Sequence, residues 1–245
     1  MILFNRNKKK RLSTRSLHQG VALITDYDAF GHISEEYRTL RTNISFSKAD
    51  GVLKTIAVTS DSPAEGKSTV SANLAVTFAN QEQKTILVDL DMRKPTVHAT
   101  FGVQNTSGLV NLLTDPVKNL EMLLPNYCKE SGIDNLTVLT SGPTPPNPSE
   151  LLASDRMATL LSTLSKQYDR IVLDTPPVVS VTDAQIISSR ADATILVVPY
   201  GMAQKAAVMD AKVLLQKVNA NIIGVIMNRV PVTSQSSYYY DGYYK

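Results

Sequence analysis

Pro63-Ala64-Glu65-Gly66-Lys67-Ser68-Thr69 follows a short apolar run, Leu53 to Thr59, and opens a stretch with Val70, Leu74 and Phe78 at helical spacing. A strand, a tight loop and a helix in that order form the setting of a phosphate-cradling loop, because backbone N–H groups and a helix N-terminus converge on one anion. Gly66 lets the backbone approach phosphate oxygens, Lys67 can neutralise β and γ oxygens, and Ser68 can ligate Mg²⁺. The loop departs from the common G-x-x-x-x-G-K-[ST] form: Asp61 stands at the first glycine position and Ala64 lies inside the turn. Taken alone, the string also fits a capped helix start with a solvent-facing lysine. The rest of the chain decides between the two.

A second segment, Ile86-Leu87-Val88-Asp89-Leu90-Asp91-Met92-Arg93-Lys94-Pro95, places two carboxylates two residues apart as an apolar strand runs out. On a strand they share a face. Two acids aimed at one site repel and raise a pKa unless a cation lies between them, so a bound Mg²⁺ explains the pairing. A third segment, Ile171-Val172-Leu173-Asp174-Thr175-Pro176-Pro177, ends another apolar strand in an acid, the usual place for a carboxylate that reaches Mg²⁺ through water. The bland alternatives are a structural aspartate and a helix cap, and three segments fitting one device count against them.

Further strands are predicted at Thr85 to Leu90, Leu136 to Thr140, Arg170 to Asp174, Ala193 to Pro199 and Asn221 to Met227, mostly separated by helical stretches. Such alternation predicts an α/β fold of the P-loop NTPase kind: a mostly parallel sheet with helices on both faces, its ligands outside the carboxyl ends of the strands. Asn147-Pro148-Ser149-Glu150 carries an N-cap, a proline at the first helical position and an acid at the third, and predicts a helix start. Phe101 to Asn135 is the least readable part.

With 245 residues and 43% hydrophobic content, the chain can bury one sizeable core. Residues 1–33 read as a basic N-terminal arm, 34–230 as the domain, and 231–245 as a tyrosine-rich tail. The net charge of +3 hides an asymmetry, because Arg6, Lys8, Lys9, Lys10, Arg11 and Arg15 leave 19 basic against 22 acidic residues elsewhere. An arm so placed suits an anionic membrane surface or a solvated role equally. No basic and aromatic pattern continues into the domain, so no nucleic-acid partner is expected. No apolar run reaches membrane-spanning length and no secretory signal is visible, which predicts a cytoplasmic protein. Cys128, the one cysteine, fits a reducing compartment and reads as an ordinary thiol. Five of the ten tyrosines lie in the last eight residues, as Tyr238, Tyr239, Tyr240, Tyr243 and Tyr244 around Asp241 and Gly242. Such a segment cannot pack as a core element and is expected to be accessible.

These segments together resemble the bacterial tyrosine kinases of capsular and exopolysaccharide assembly, in their free-standing cytoplasmic form. The resemblance spans a modified Walker A at 60–69, a Walker A′ at 86–95 with Arg93 and Pro95, a Walker B at 171–177, Asn147 to Leu152, Gly224 to Arg229, Glu35 to Asn43 and the tail. It implies ATP-dependent autophosphorylation of the tail tyrosines, with ATP and Mg²⁺ as cofactors. Lys67, Asp89 and Asp91 are the implied catalytic residues, with Lys67 on the phosphates and Asp89 orienting or deprotonating the phenol. Ser68, Asp91 and Asp174 are the implied metal sphere, and Asn228 and Arg229 the implied adenine side.

Glu35, Arg38 and Arg41 match the family's E-x-x-R-x-x-R signature for subunit contact in a ring; an internal Glu35–Arg38 pair is the bland alternative. The implied partners are a transmembrane polysaccharide co-polymerase adaptor whose cytoplasmic tail activates the kinase at the inner face of the membrane, other copies of the chain, and a cognate tyrosine phosphatase. A MinD- or ParA-like positioning ATPase would share the fold, but those carry a second lysine five residues before the P-loop lysine, where this chain has Ser62.

Overall fold

The computed structural model describes residues 18–48 and 51–231. The tail tyrosines and the cations of the arm lie outside the described residues. Seven strands form one sheet: β1 (Thr55–Ser60), β2 (Thr85–Asp89), β3 (Lys129–Glu130), β4 (Leu136–Leu139), β5 (Arg170–Asp174), β6 (Ala193–Pro199) and β7 (Ile222–Asn228). Their spatial order is β3-β4-β2-β5-β1-β6-β7, parallel throughout except for the edge pair β3–β4.

Alternate residues of the central strands feed two different cores. Ala57, Ile86, Val88, Ile171 and Leu173 face one cluster with the helices α5 (Leu109–Thr114), α6 (Leu120–Tyr127) and α8 (Asp155–Gln167). Ile56, Val58, Leu87, Val172, Ile195 and Val197 face the other, beneath α3 (Lys67–Ala79). Burial on both faces is why these strands read as unbroken apolar runs. The helix α3 is itself covered by α2 (His32–Phe46), which explains why nearly every side chain from Val70 to Ala79 is buried.

Three expectations need amendment. Strand limits shift by up to two residues, and β1 begins at Thr55. The helix α7 (Pro148–Ala153) starts after Asn147 as read, but the Asn147 side chain donates to Glu150 Oε2 (3.1 Å) instead of accepting from the first turn. Part of the segment assigned to the arm belongs to the domain. Thr25, in α1 (Ile24–Tyr27), is buried, and its N–H and hydroxyl donate to Asn73 Oδ1 at 3.0 and 3.1 Å. Asn73 returns a bond from Nδ2 to Ala22 O at 2.8 Å. No charge pattern announces this contact, because it is made by one threonine and one asparagine.

Cys128 is half-buried against the α8 side of the core, and burial pushes its thiol up to about 11. At pH 8 only about one thiol in a thousand is then ionised. Alkylation by iodoacetamide at pH 8 should be far slower than for a free thiol and should rise about tenfold per pH unit toward pH 11. A rate equal to that of glutathione at pH 8 would contradict the burial.

Candidate active site

The three segments meet at the carboxyl ends of β1, β2 and β5, which are neighbours in space though far apart in sequence. Asp89 and Asp174 end β2 and β5 in register with each other. The P-loop leaves β1 between β5 and β6 and turns at Gly66, the residue before α3. Gly66 has φ +100°, and a Cβ there would lie 2.0 Å from Asn228 Nδ2. The positive φ favours glycine, and any side chain there would also displace the Asn228 amide. Glu65 is buried and accepts from Ser62 N (3.0 Å), closing the loop on itself, while Asn228 Nδ2 donates to Glu65 O (2.9 Å). Arg229 donates to Ala64 O. Asn228 and Arg229 thus hold the P-loop from the end of β7.

Lys67 is buried, which excludes the solvent-facing lysine of a plain capped helix start: Nζ lies 2.9 Å from Asp91 Oδ2 and 3.9 Å from Asp174 Oδ1, and donates to Ser68 Oγ at 3.3 Å. Burial lowers its pKa, but Asp174, Asp91 and Asp89 outweigh burial and the pKa is raised. The lysine is therefore a fixed positive charge. Asp174 is held from below by Ser71 Oγ, which donates to Oδ1 at 3.1 Å. Ser71 was not singled out by motif reading, although its place one turn after Lys67 puts it on the same helix face.

Asp89 and Asp91 do not share a strand face, because β2 ends at Asp89. Asp89 is wholly buried and accepts from three backbone N–H groups: Asp91 N at Oδ1 (3.2 Å), and Thr96 N and Val97 N at Oδ2 (both 3.0 Å). It fixes the A′ loop and the start of α4 (Val97–Thr100). Because Asp89 is wholly buried, direct work on a phenol requires the loop to open. Asp91 uses Oδ1 to accept from Lys94 N (3.0 Å) and Oδ2 for Lys67.

Burial, then Asp174 and Asp91, push Asp89 well above the ordinary carboxylate range. Asp174 is also raised by burial, although Lys67, Ser68 and Ser71 pull it down. Three buried carboxylates around one ammonium repel one another, and a divalent cation would favour their ionised forms. Asp174 Oδ2 is buried without a hydrogen-bond donor among the described residues. Among those residues no three His, Cys, Asp or Glu side chains form a ready-made metal cage. This donor set fits Mg²⁺, which binds through one or two carboxylates, a hydroxyl, water and substrate phosphates rather than an all-protein cage.

Glu35, Arg38 and Arg41 lie on α2. Arg38 pairs with Glu35 and also donates to Ala29 O, and Arg41 Nη1 donates to Thr77 O (3.1 Å) on α3. The signature therefore ties α2 to its own chain in this structure.

The family model described as "AAA domain" matches residues 53–223, which includes all three Walker segments. Over 208 residues the chain is 45% identical to the putative tyrosine-protein kinase CapB of Staphylococcus aureus, covering 85% of this chain and 89% of that one. It is 44% identical to the tyrosine-protein kinase YwqD of Bacillus subtilis, covering 85% and 86%. The chain belongs to the bacterial tyrosine kinases. The solved structure of the chimerical protein CapA2B2 superposes on this kinase with a TM-score of 0.80 at 38% identity, covering 91% of this chain and 100% of that one. The cell-division ATPase MinD of Pyrococcus furiosus reaches a TM-score of 0.51 at 22% identity, over 74% of each chain, a likeness of fold alone. The positioning-ATPase alternative is thereby set aside. The kinase covers only 28% of the tyrosine-protein kinase wzc of Salmonella typhimurium, so some relatives are much longer chains.

Proposed function

We propose that this kinase transfers the γ-phosphoryl group of ATP to tyrosines of its own 238–245 segment, and that this cycle regulates capsular or exopolysaccharide synthesis and export. The observation that carries the reading is Lys67, held between Asp91 and Asp174 at the meeting point of three strand ends. Backbone N–H groups of residues 64–69 cradle the phosphates and Lys67 neutralises them. Ser68, Asp91 and Asp174 would hold Mg²⁺, which would supply positive charge against the phosphate oxygens. Asn228 and Arg229 border the nucleotide from the β7 side. In the transfer, the bond between the γ-phosphorus and the β,γ-bridging oxygen breaks as the phenol oxygen bonds the phosphorus. ADP leaves with the bridging oxygen, and the phenol proton passes to solvent or to an ionised carboxylate of the site. A loose transition state asks little ionisation of the phenol beforehand, so positioning outweighs base strength. Asp89 contributes by fixing the loop that carries Asp91.

The subunit reading of Glu35, Arg38 and Arg41 belongs to the same proposal: a neighbour in a ring would offer its tail to this site. No helix of the described residues is long and apolar enough to cross a membrane. A separate membrane adaptor would then bring the kinase to the inner leaflet. Incubation of the purified kinase with Mg-ATP and the adaptor's cytoplasmic tail should produce intact-mass steps of about 80 Da, one per phosphate, confined to 238–245 on peptide mapping. ATP hydrolysis without any mass gain would reject the assignment.

A further inference from the structure

The A′ loop carries a second fixed charge that the phosphate-binding set does not use. Arg93 Nε donates to Asp183 Oδ2 at 3.1 Å, and Nη2 to Oδ1 at 3.5 Å. Asp183, the first residue of α9 (Asp183–Ser188), is wholly buried and also accepts from Ser149 Oγ at 2.6 Å. Arg93 therefore bridges the loop after β2 to the segment after β5. Its backbone is fixed as well, because Lys94 N donates to Asp91 Oδ1.

Despite that anchoring, 43% of the Arg93 side chain is exposed. Its Nη1 makes no hydrogen bond to a described residue, and Lys94 beside it is exposed. A structural clamp accounts for the edge that meets Asp183. It leaves unexplained a second edge, held rigid and wet, two residues from Asp91. A guanidinium presented in this way is a fork shaped for a carboxylate or a phosphate. The nucleotide phosphates already have Lys67 and the P-loop amides. The 238–245 segment brings Asp241, with tyrosines on both sides that become anionic as they are modified.

We propose that Arg93 is the acceptor-binding residue of this kinase. It grips the anionic group next to the tyrosine being modified: the Asp241 carboxylate first, and a phosphotyrosine once one has formed. Asp183 and Ser149 are its positioning residues. The proposal rests on the reading of 238–245 as the acceptor. Each transfer then improves the substrate for the next, and modification of the cluster becomes progressive.

The test uses the full-length kinase with its five tail tyrosines changed to Phe, acting on synthetic peptides of residues 234–245. The peptides carry Asp or Asn at 241, or a phosphotyrosine at 243. Arg93→Gln is combined with Asp183→Asn so that no buried carboxylate is left unpaired, and Arg93→Lys serves as a variant that keeps the charge and loses the fork. For the parent, kcat/KM should be highest on the phosphotyrosine peptide and lowest on the Asn peptide. The double variant should lose roughly tenfold or more on the Asp peptide, as a higher peptide KM, with KM for ATP unchanged. Arg93→Lys should fall between, and the double variant should treat Asp and Asn peptides alike. Equal losses on the Asp and Asn peptides, or a loss confined to KM for ATP, would overturn the proposal. A parent that modifies none of the peptides would overturn the acceptor reading itself.

Discussion

Lys67→Met abolishes tyrosine phosphorylation and, in the absence of nucleotide, also lowers the stability of the fold. The catalytic loss should be at least roughly a thousandfold, because the lysine is the fixed cation facing the transferring phosphoryl group. The stability loss follows from burial. Removing Lys67 leaves Asp89, Asp91 and Asp174 close together in a dry site with no counter-charge. Stranding buried charges in this way costs about 3 kcal/mol or more, part of which proton uptake by an acid relieves. Mg²⁺ should restore more stability to the variant than to the parent, since the ion replaces the missing charge. Chemical denaturation with and without Mg²⁺, read beside phosphotyrosine content, checks both halves. Unchanged stability in the variant would mean that the ion pairs are not formed in solution, and unchanged phosphotyrosine would remove the P-loop from the mechanism.

Replacement of Tyr238, Tyr239, Tyr240, Tyr243 and Tyr244 by Phe should remove nearly all autophosphorylation and leave ATP binding intact, since none belongs to a Walker segment. Mixing this protein with Lys67→Met protein separates transfer between subunits from transfer within one. The all-Phe chain supplies an active site and no acceptor; the Lys67→Met chain supplies an acceptor and no active site. Label should appear on the Lys67→Met chain if subunits serve each other, and its absence would assign the transfer to a single chain. Each phosphate adds about −1.5 to −2 charges, so a fully modified tail carries up to roughly −10 and should loosen a ring of such chains. Sedimentation of both forms at equal concentration reads that effect.

The chemistry was legible because it is local. A P-loop, an A′ segment and a Walker B strand each announce themselves within ten residues, and the apolar strand runs before them reflect burial on both faces of the sheet. Phe101 to Asn135 was opaque for the opposite reason. Its short helices, Leu109–Thr114 and Leu120–Tyr127, and the two-residue strand Lys129–Glu130 are too short to show a period; packing against the α8 side of the sheet defines the helices, and pairing with β4 defines the strand.

The sequence by itself determined the fold class, the three strand-end motifs and the family, because a phosphate loop and its acids need fixed residue types at fixed spacing. Tertiary structure alone decided what those residues do between turnovers. It buried Lys67 among three carboxylates, turned Asp89 into the anchor of its own loop, joined Thr25 to Asn73, and set Arg93 against Asp183 across 90 residues of chain. Those outcomes depend on which strands lie side by side and how much water is left between them. Neither quantity is carried by spacing along the chain.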